Sequence, residues 1–398
     1  MIRPRPSRPA VVSMRKNSSL HVAVIGAGIV GAAAAYFLNA AGARVTLLEA
    51  EAPAAGATGA SDGAVSVASK RPGPMMHLAR LARSFYRDLA EEGLLKDLFH
   101  PRSTFLLARN SLEAELLTRH AADLAGAGER VVPLDRADLQ RLVPGLGSSV
   151  EAGLEVPDDG HAIGYQITAR LLERSGVNVR RRSPVRSLAI RQNRVAGVVL
   201  DEEVVAADVV IVAAGIGSAR LIGLGDVLVP RKGQMIVTDR AVAGGPALAG
   251  HLMAATYLAA KRGASLEKPH IGLVIDPLVT GQFLIGGSRE ENRADRETDV
   301  SIIAAILREA LDVYPNVSRQ RVIRTFAGIR TASRDGLPIV GRHPDIEGVV
   351  IATGFEGDGI CLGPFMGAAA AQLSLGREPS ADLSALTPSR FALSEVAG

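Results

Sequence analysis

The chain has 398 residues, 47% of them apolar and 22% charged, which predicts a globular enzyme-sized protein of two domains. Five basic and no acidic side chains fall within residues 1–20, so a formal charge of +4 leaves the remainder near −1. A nearly neutral body, with 4% aromatic residues and no Trp, argues against a nucleic-acid partner.

Residues 1–20 are predicted to be a disordered Pro/Arg-rich tail, or an extension before an internal start at Met14. The tail lacks the apolar segment of a secretory signal, and no run of about 18 uncharged apolar residues predicts a membrane span. The single cysteine, Cys361, can form neither an intrachain disulfide nor a metal centre alone, and indicates a reducing compartment. We therefore expect a cytoplasmic protein without a metal.

The ordered chain begins with a strand–helix–strand unit. Apolar residues 21–25 and 44–49 predict two buried strands, and an Ala-rich segment ending near Ala41 predicts the helix between them. Residues 50–73, rich in Ala, Gly, Ser and Pro, predict an extended loop. Apolar residues at helical spacing predict a helix over 74–92.

Strands of two kinds follow, and they predict an interleaved fold. Buried strands are expected at 208–214 and 349–352, alternating strands within 176–200, and an antiparallel region at 230–238 and 281–286. The last buried strand leads through a Gly-rich loop into a helix near 363–373. The fold class is α/β, a Rossmann-like domain interleaved with an antiparallel-sheet α+β domain. We predict a cofactor-binding domain at 21–95, 150–228 and 322–398, and a substrate-binding domain at 96–149 and 229–321.

A glycine fingerprint lies directly after the first strand. Gly26, Gly28 and Gly31 form G-x-G-x-x-G, which permits a tight turn, close backbone approach to a pyrophosphate and close helix packing. The helix start offers free N–H groups to phosphate. Glu49 ends the second strand, where a carboxylate accepts hydrogen bonds from ribose hydroxyls and disfavours NADP. The neighbours Ile29, Val30 and Ala50 are further candidate contacts.

FAD and NAD share this fingerprint, and two later features favour FAD. The apolar strand at 207–215 supplies a second crossing beside the cofactor, where Ala214 and Gly215 would lie. The segment GFEGDGI, residues 354–360, places a second helix start in the fold, which can stabilise negative charge on a reduced flavin. An NAD-dependent dehydrogenase stays as a distant alternative.

Seven strings in order resemble the D-amino-acid oxidase/dehydrogenase (DAO) superfamily. They are VAVIGAGIVG…LLE, GATGASDGAVS, PDDGHAIGY, VPRKGQ, LIGGSRE, AGIRTASRDGLPIVGRHP and ATGFEGDGICLGP. The chain resembles glycine oxidase and, more closely, the β-subunits of multisubunit D-hydroxyproline and opine (octopine, nopaline) dehydrogenases. This resemblance implies non-covalently bound FAD, a small amino-acid-like carboxylate substrate and partner subunits that receive electrons.

The resemblance also implies specific cofactor contacts. The loop after the first unit would line the pyrophosphate and flavin, Val185 would meet adenine, and the GFEGDGI loop would lie at the pyrimidine edge of the flavin. Relatives with a flavin-linking cysteine carry it at the position of Gly328, so no covalent bond is expected there. The loop residues concerned are Ala57, Thr58, Ser61, Asp62, Gly63 and Ala64, and those at the flavin edge are Gly357, Asp358, Gly359 and Ile360.

Arg330, in the string AGIR, matches the arginine that holds the substrate carboxylate in this superfamily. A planar guanidinium can form a bidentate pair with a carboxylate and fix the adjacent carbon over the flavin. Glycine oxidase has a tyrosine where this chain has Val274, and a second substrate-contacting arginine where it has Gly357. Both departures predict a roomier site, suited to an imino acid or an N-substituted amino acid.

The leading functional hypothesis is hydride transfer from a D- or N-substituted amino acid to FAD, with electrons passed to partner subunits. An oxygen-using oxidase and a non-catalytic flavoprotein scaffold stay open as alternatives. Gly59-Ala60-Ser61-Asp62-Gly63 also fits the G-x-S-x-G motif of hydrolases, but no strand precedes it as that motif requires. His161, His251 and His270 are expected to be structural or surface groups, and Cys361 a buried apolar thiol. No catalytic role is expected for His161 or Tyr257.

Overall fold

The structure is a computed structural model that describes residues 20–240, 248–261 and 269–393. Apart from Leu20, the predicted basic tail lies outside the described residues. Along the chain, successive groups of strands belong alternately to two large sheets.

Most of the described strands are short, and the two longest have 13 and 12 residues. In chain order the described strands are β1 His21–Ile25, β2 Arg44–Leu48, β3 Ala64–Val65, β4 Phe99–Pro101, β5 Thr104–Ala108, β6 Val132–Leu134, β7 Ala152–Val156, β8 Gly160–Ala162, β9 Val179–Arg180, β10 Ser187–Arg191, β11 Arg194–Val199, β12 Val204–Ala206, β13 Val209–Val212, β14 Leu228–Arg240, β15 His251–Ala254, β16 His270–Pro277, β17 Gln282–Glu291, β18 Val322–Ser333, β19 Ile339–Arg342 and β20 Val349–Thr353.

Helices cover the first sheet and one side of the second. In chain order the described α-helices are α1 Ile29–Ala40, α2 Pro74–Glu91, α3 Ser111–Gly126, α4 Arg136–Leu142, α5 Gly164–Ser175, α6 Ser218–Leu221, α7 Ala255–Lys261, α8 Val300–Val313 and α9 Gly359–Ser374. The predicted helix near 363–373 therefore begins four residues earlier, at Gly359. Helices α5 and α8 are absent from the sequence-based prediction.

The first large sheet has six strands in the order β19-β20-β13-β1-β2-β9. Its strands are parallel except for β19, which pairs antiparallel with β20 at one edge. Strands β1 and β20 are buried at every residue, as expected for a parallel sheet with both faces covered. The predicted α/β fold class, with a parallel, Rossmann-like sheet interleaved in the chain with a mainly antiparallel sheet, is confirmed.

Helices α1 and α9 pack closely against each other beside this sheet. A Cβ added to Gly363 would lie 2.6 Å from Ile29 Cγ2, and one added to Gly367 would lie 2.5 Å from the Val30 carbonyl oxygen. The two glycines of α9 therefore let its backbone meet the first turn of α1. This contact brings both helix starts to the same end of the sheet.

The second large sheet has eight strands in the order β18-β14-β17-β16-β15-β5-β7-β6. It is antiparallel except where β15 runs parallel to β5. Helix α8 packs on one face, where Ile306, Ala310 and Val313 are buried. The opposite face of β14, β16, β17 and β18 turns towards the first sheet and carries the residues that line a deep cleft.

The division into domains stays a prediction, and the strand pairing suggests one change to it. Strands β7 and β18 pair within the eight-stranded sheet, although the predicted boundaries place residues 150–228 and 322–398 in the cofactor-binding domain. We propose that β7 and β18 belong to the substrate-binding domain, because their backbone hydrogen bonds are made there.

Candidate active site

The glycine fingerprint forms a tight turn at the end of β1. Gly26 has a φ of +100°, and a Cβ there would lie 2.5 Å from the carbonyl oxygen of Ala213. A Cβ on Gly31 would lie 1.9 Å from the carbonyl oxygen of Gly26. Neither position has room for a side chain, so α1 begins directly behind the turn with its backbone exposed to the cleft.

The start of α1 is open to an anion. Gly28 is the N-cap residue and has no side chain with which to cap the helix, and no acidic residue lies in the first turn. The Ile29 N–H donates to Thr58 Oγ1 at 3.1 Å, so a neutral hydroxyl from the following loop is its partner. Unpaired N–H groups and the helix dipole at this position suit a pyrophosphate.

Glu49 lies at the end of β2, beside the fingerprint. Its Oε2 accepts from the Ala27 N–H at 2.7 Å and its Oε1 from the Glu51 N–H at 2.9 Å. These bonds fix the carboxylate at the rim of the cleft, and each oxygen retains a further lone pair. The predicted acceptor role towards ribose hydroxyls stays a prediction.

A single cleft runs from the fingerprint to the eight-stranded sheet and contains most of the predicted site residues. Those lining it are Gly26, Gly28, Ile29, Val30, Glu49, Ala50, Ala57, Thr58, Ser61, Asp62, Val185, Ala214, Gly215, Arg330, Gly357, Gly359 and Ile360. Four predicted residues do not line it, namely Gly31, Gly63, Ala64 and Asp358. The first of these acts through packing, as described above.

Gly63 and Ala64 support the loop from behind. Gly63 has a φ of +90°, and a Cβ there would lie 2.6 Å from His161 Nε2. The same Nε2 donates to the Asp62 carbonyl oxygen at 2.8 Å, and Ala64 pairs with His161 in the strand pair β3–β8. His161 therefore has the structural role predicted for it.

A buried charge cluster surrounds this histidine. Burial lowers the pKa of His161 to about 4. Burial alone would raise the pKa of Asp276, but the adjacent His251 and Arg102 lower it well below its ordinary value. Arg102 donates to Asp276, and His251 Nδ1 lies 2.7 Å from Asp276 Oδ2. The cluster connects the loop at Asp62 to β16 through charges that offset one another.

Asp358 turns away from the cleft. Its Oδ1 lies 2.6 Å from Lys70 Nζ, with Lys70 buried and Asp358 largely buried. On the same side of α9, the Tyr86 hydroxyl donates to the Ile360 carbonyl oxygen at 2.8 Å. Burial raises the pKa of the Cys361 thiol to about 11, so this cysteine is neutral at ordinary pH. These contacts fix the start of α9 at the cleft.

Arg330 lies in the cleft on a surface of glycines. A Cβ on Gly233 would fall 2.4 Å from Arg330 Nη1, and one on Gly287 would fall 3.8 Å from Nη2. The guanidinium donates through Nη1 to the carbonyl oxygens of Ser288, at 3.2 Å, and Lys232, at 3.4 Å. No carboxylate among the described residues forms an ion pair with it. Its positive charge is therefore available to an anionic ligand.

The other cations and anions nearby compensate one another. Arg231 lies 2.7 Å from Glu291 and 2.9 Å from Glu356, measured between nitrogen and oxygen. Arg289 lies 3.0 Å from Glu356 and 3.3 Å from Glu291. Two arginines and two glutamates leave this network neutral, so Arg330 contributes the excess charge at this end.

The cleft also contains residues that sequence reasoning did not assign to it. Tyr257 from α7, His270 and Gly272 from β16, and Met235 from β14 all line it. The sequence held one signal for Met235, His270 and Gly272, namely the alternation of side chains between the two faces of β14 and β16. Residues two apart along a strand face the same side of the sheet. This alternation could not indicate which face meets the cofactor-binding unit, and Tyr257 lies on a helix.

Both departures from glycine oxidase can be located, since Val274 and Gly357 line the cleft. Gly328, where relatives with a flavin-linking cysteine carry it, also lines the cleft. A Cβ on Gly328 would lie 2.5 Å from Ala60 Cβ, so a side chain there would require the loop to move. Non-covalent cofactor binding stays a prediction.

The site fits FAD. The glycine turn and the start of α1 suit a pyrophosphate, Val185 supplies a buried apolar wall that would suit adenine, and the cleft continues past the start of α9 to Arg330. Residues 21–373 match the family described as FAD dependent oxidoreductase (DAO), so the chain belongs to this FAD-binding family. The predicted superfamily and cofactor are confirmed.

Characterised relatives span nearly the whole chain. A glycine oxidase from Geobacillus kaustophilus (strain HTA426) is 28% identical over 389 residues, which cover 93% of this chain and 96% of the relative. The crystal structure of glycine oxidase from the same species superposes with a TM-score of 0.82 at 26% identity, covering 94% of this chain and 100% of that one. Mitochondrial dimethylglycine dehydrogenase from Mus musculus is 26% identical over 98% of this chain and 47% of its own. The chain is thus an FAD-dependent oxidoreductase whose relatives act on amino-acid C–N bonds.

Within the ranges that the structure describes, no helix is both long and apolar enough to span a membrane. In the same ranges, His, Cys, Asp and Glu side chains form no group of three that could hold a metal ion.

Proposed function

We propose that the protein oxidises a D- or N-substituted amino acid, such as an imino acid or an opine, with electrons leaving through partner subunits. The observation that carries this proposal is the Arg330 guanidinium, which lies in the cofactor cleft on glycine surfaces with only carbonyl partners. A substrate carboxylate would neutralise it in a bidentate pair. The glycine oxidase and dimethylglycine dehydrogenase relatives support an amino-acid-like substrate.

FAD, when bound, supplies the hydride acceptor. The residues of the chain orient the substrate: Arg330 would hold the carboxylate, and the start of α9 at Gly359 would stabilise negative charge at the pyrimidine edge of the cofactor. The substrate would lose a hydride from its α-carbon and a proton from its nitrogen, and the resulting imine would hydrolyse. An amine that binds neutral requires no dedicated base.

Anaerobic titration of the flavin-loaded protein with a panel of D-amino acids, imino acids and opines tests this function. We expect the visible flavin absorption to bleach with at least one panel member. The Arg330→Leu variant should raise the KM for that carboxylate by roughly hundredfold, because two charge-assisted hydrogen bonds are lost. An unchanged KM would contradict the proposed role, and a flavin that no panel member bleaches would favour a scaffold.

The relatives named glycine oxidase favour a second candidate, in which oxygen reoxidises the flavin. Measuring hydrogen peroxide formed by the isolated chain in air separates the two routes. Stoichiometric peroxide would identify an oxidase. Turnover with an artificial electron acceptor, without peroxide, supports transfer to partner subunits.

A further inference from the structure

One face of β16 borders the substrate end of the cleft. His270, Gly272 and Val274, two residues apart, all line it. Tyr257, from α7, leans over this strand: a Cβ added to Gly272 would fall 2.7 Å from Tyr257 Cδ2. The absence of a side chain at Gly272 is therefore what lets the aromatic ring lie against the strand.

Tyr257, from α7 over β16, and Arg330, from β18, line the same face of the eight-stranded sheet. The guanidinium of Arg330 extends over β14 at Gly233 and reaches Gly287 on β17. Strand β16, with the tyrosine ring over Gly272, is the next neighbour of β17. Adjacent strands are about 4.8 Å apart. The cationic group and the aromatic ring therefore flank a gap about one strand wide.

The floor beside this gap is apolar. Met235 on β14 pairs with Gly286 on β17, which pairs in turn with Val274 on β16. Met235 and Val274 both line the cleft and are otherwise buried. A ligand held by its carboxylate at Arg330 would thus place its other substituents over Met235 and Val274 and against the ring of Tyr257.

We propose that Tyr257 is a specificity-determining residue, whose ring packs against the side chain or N-substituent of the substrate. This inference rests on the proposed function, since it takes Arg330 as the carboxylate site. Val274 is too short to reach across the pocket, and the ring over Gly272 supplies an aromatic wall from α7 instead. The substrate class is accordingly an amino acid with an apolar substituent, cyclic or N-linked, rather than glycine itself.

The flavin-loaded protein can be tested with two unreactive carboxylates, acetate and pyrrole-2-carboxylate, by following the change in visible flavin absorption on binding. The unaltered protein should bind pyrrole-2-carboxylate more tightly than acetate. Tyr257→Ala should lower the affinity for pyrrole-2-carboxylate about tenfold, because the stacked ring is lost. The same variant should lower the affinity for acetate less than about threefold. Tyr257→Phe should retain both affinities.

Two further variants separate the possible outcomes. Tyr165→Ala removes a tyrosine that is exposed on α5 and outside the cleft, and it should change neither affinity. Arg330→Leu should lower the affinity for both probes.

If Arg330→Leu lowers both affinities but Tyr257→Ala lowers neither, or lowers both equally, the role of Tyr257 is wrong and the proposed function stands. Equal affinity of the unaltered protein for the two probes would also overturn the inference. If Arg330→Leu leaves both affinities unchanged, the carboxylate site itself is wrong.

Discussion

The two ends of the cleft differ in how far apart their residues lie in the chain. At the end that we propose binds phosphate, Gly26, Gly28 and Gly31 fall within six consecutive residues, and Glu49 follows one strand later. At the substrate end, Arg330 comes from β18 and reaches glycines on β14 and β17, while Tyr257 comes from α7. Local backbone geometry therefore builds the first end, and the pairing of distant strands builds the second. Variants at the two ends should fail in different ways.

The largest effect is expected at the phosphate end. Gly31→Ala would place a methyl group 1.9 Å from the Gly26 carbonyl oxygen, so the turn and α1 must separate. We expect roughly thousandfold weaker FAD binding, about 4 kcal/mol, measured by flavin fluorescence on titrating the apoprotein.

Gly126→Ala is the matched control, since no atom lies within 4 Å of a Cβ at that helical position. It should leave FAD affinity unchanged. Retention of FAD by Gly31→Ala at the original affinity would show that the close packing of β1 and α1 does not form the phosphate site.

A second, smaller effect is expected where the two ends meet, at the start of α9. Lys70→Met would remove the cation that pairs with the largely buried Asp358 carboxylate, 288 positions away in the chain. Breaking a buried pair on one side should lower the free energy of unfolding by about 3 kcal/mol, measured by urea denaturation. The double variant Lys70→Met/Asp358→Asn should recover most of this loss. No recovery would mean that the charge of Asp358 is not the cause.

A third effect, spread over several pH units, is a pH dependence behind the loop at Asp62. The pKa of His161 falls from 6.5 to about 4 in the folded protein, so between these values the unfolded chain binds more protons. Stability should therefore fall as the pH is lowered from 6.5 to 4, by at most about 1.4 kcal/mol per unit. Neighbouring His251 has a raised pKa, so its stabilising contribution is lost as the pH rises above 6.5.

Urea denaturation of His161→Gln across this pH range isolates the contribution of one histidine. Glutamine can still donate to the Asp62 carbonyl but does not titrate, so the slope between pH 4 and 6.5 should decrease. An unchanged slope would assign the acid sensitivity to other groups.

The same contrast explains what sequence reasoning could and could not find. The strands β1, β2, β13 and β20 lie where apolar runs predict them, because a buried parallel strand must be apolar at nearly every position. Helix α8 was missed, although Asp299 caps it and accepts from the Ser301 N–H. Over a few residues its apolar side chains resemble those of a buried strand. Only their spacing over all 14 residues distinguishes a helix from a strand.

The sequence by itself determined the fold class, the family and FAD as the cofactor, and it located the glycine turn. The fold class and the turn depend on periodicity and on glycines whose constraint is local, because a tight turn fixes its own dihedral angles. The family and the cofactor depend on seven strings that occur in order along the chain. Only the tertiary structure decided that Asp358 pairs with Lys70, that Arg330 lies on glycines of two other strands, and that Tyr257 fills the gap over Gly272. Those contacts depend on strand register and helix packing between segments far apart in the chain, which no short-range pattern records.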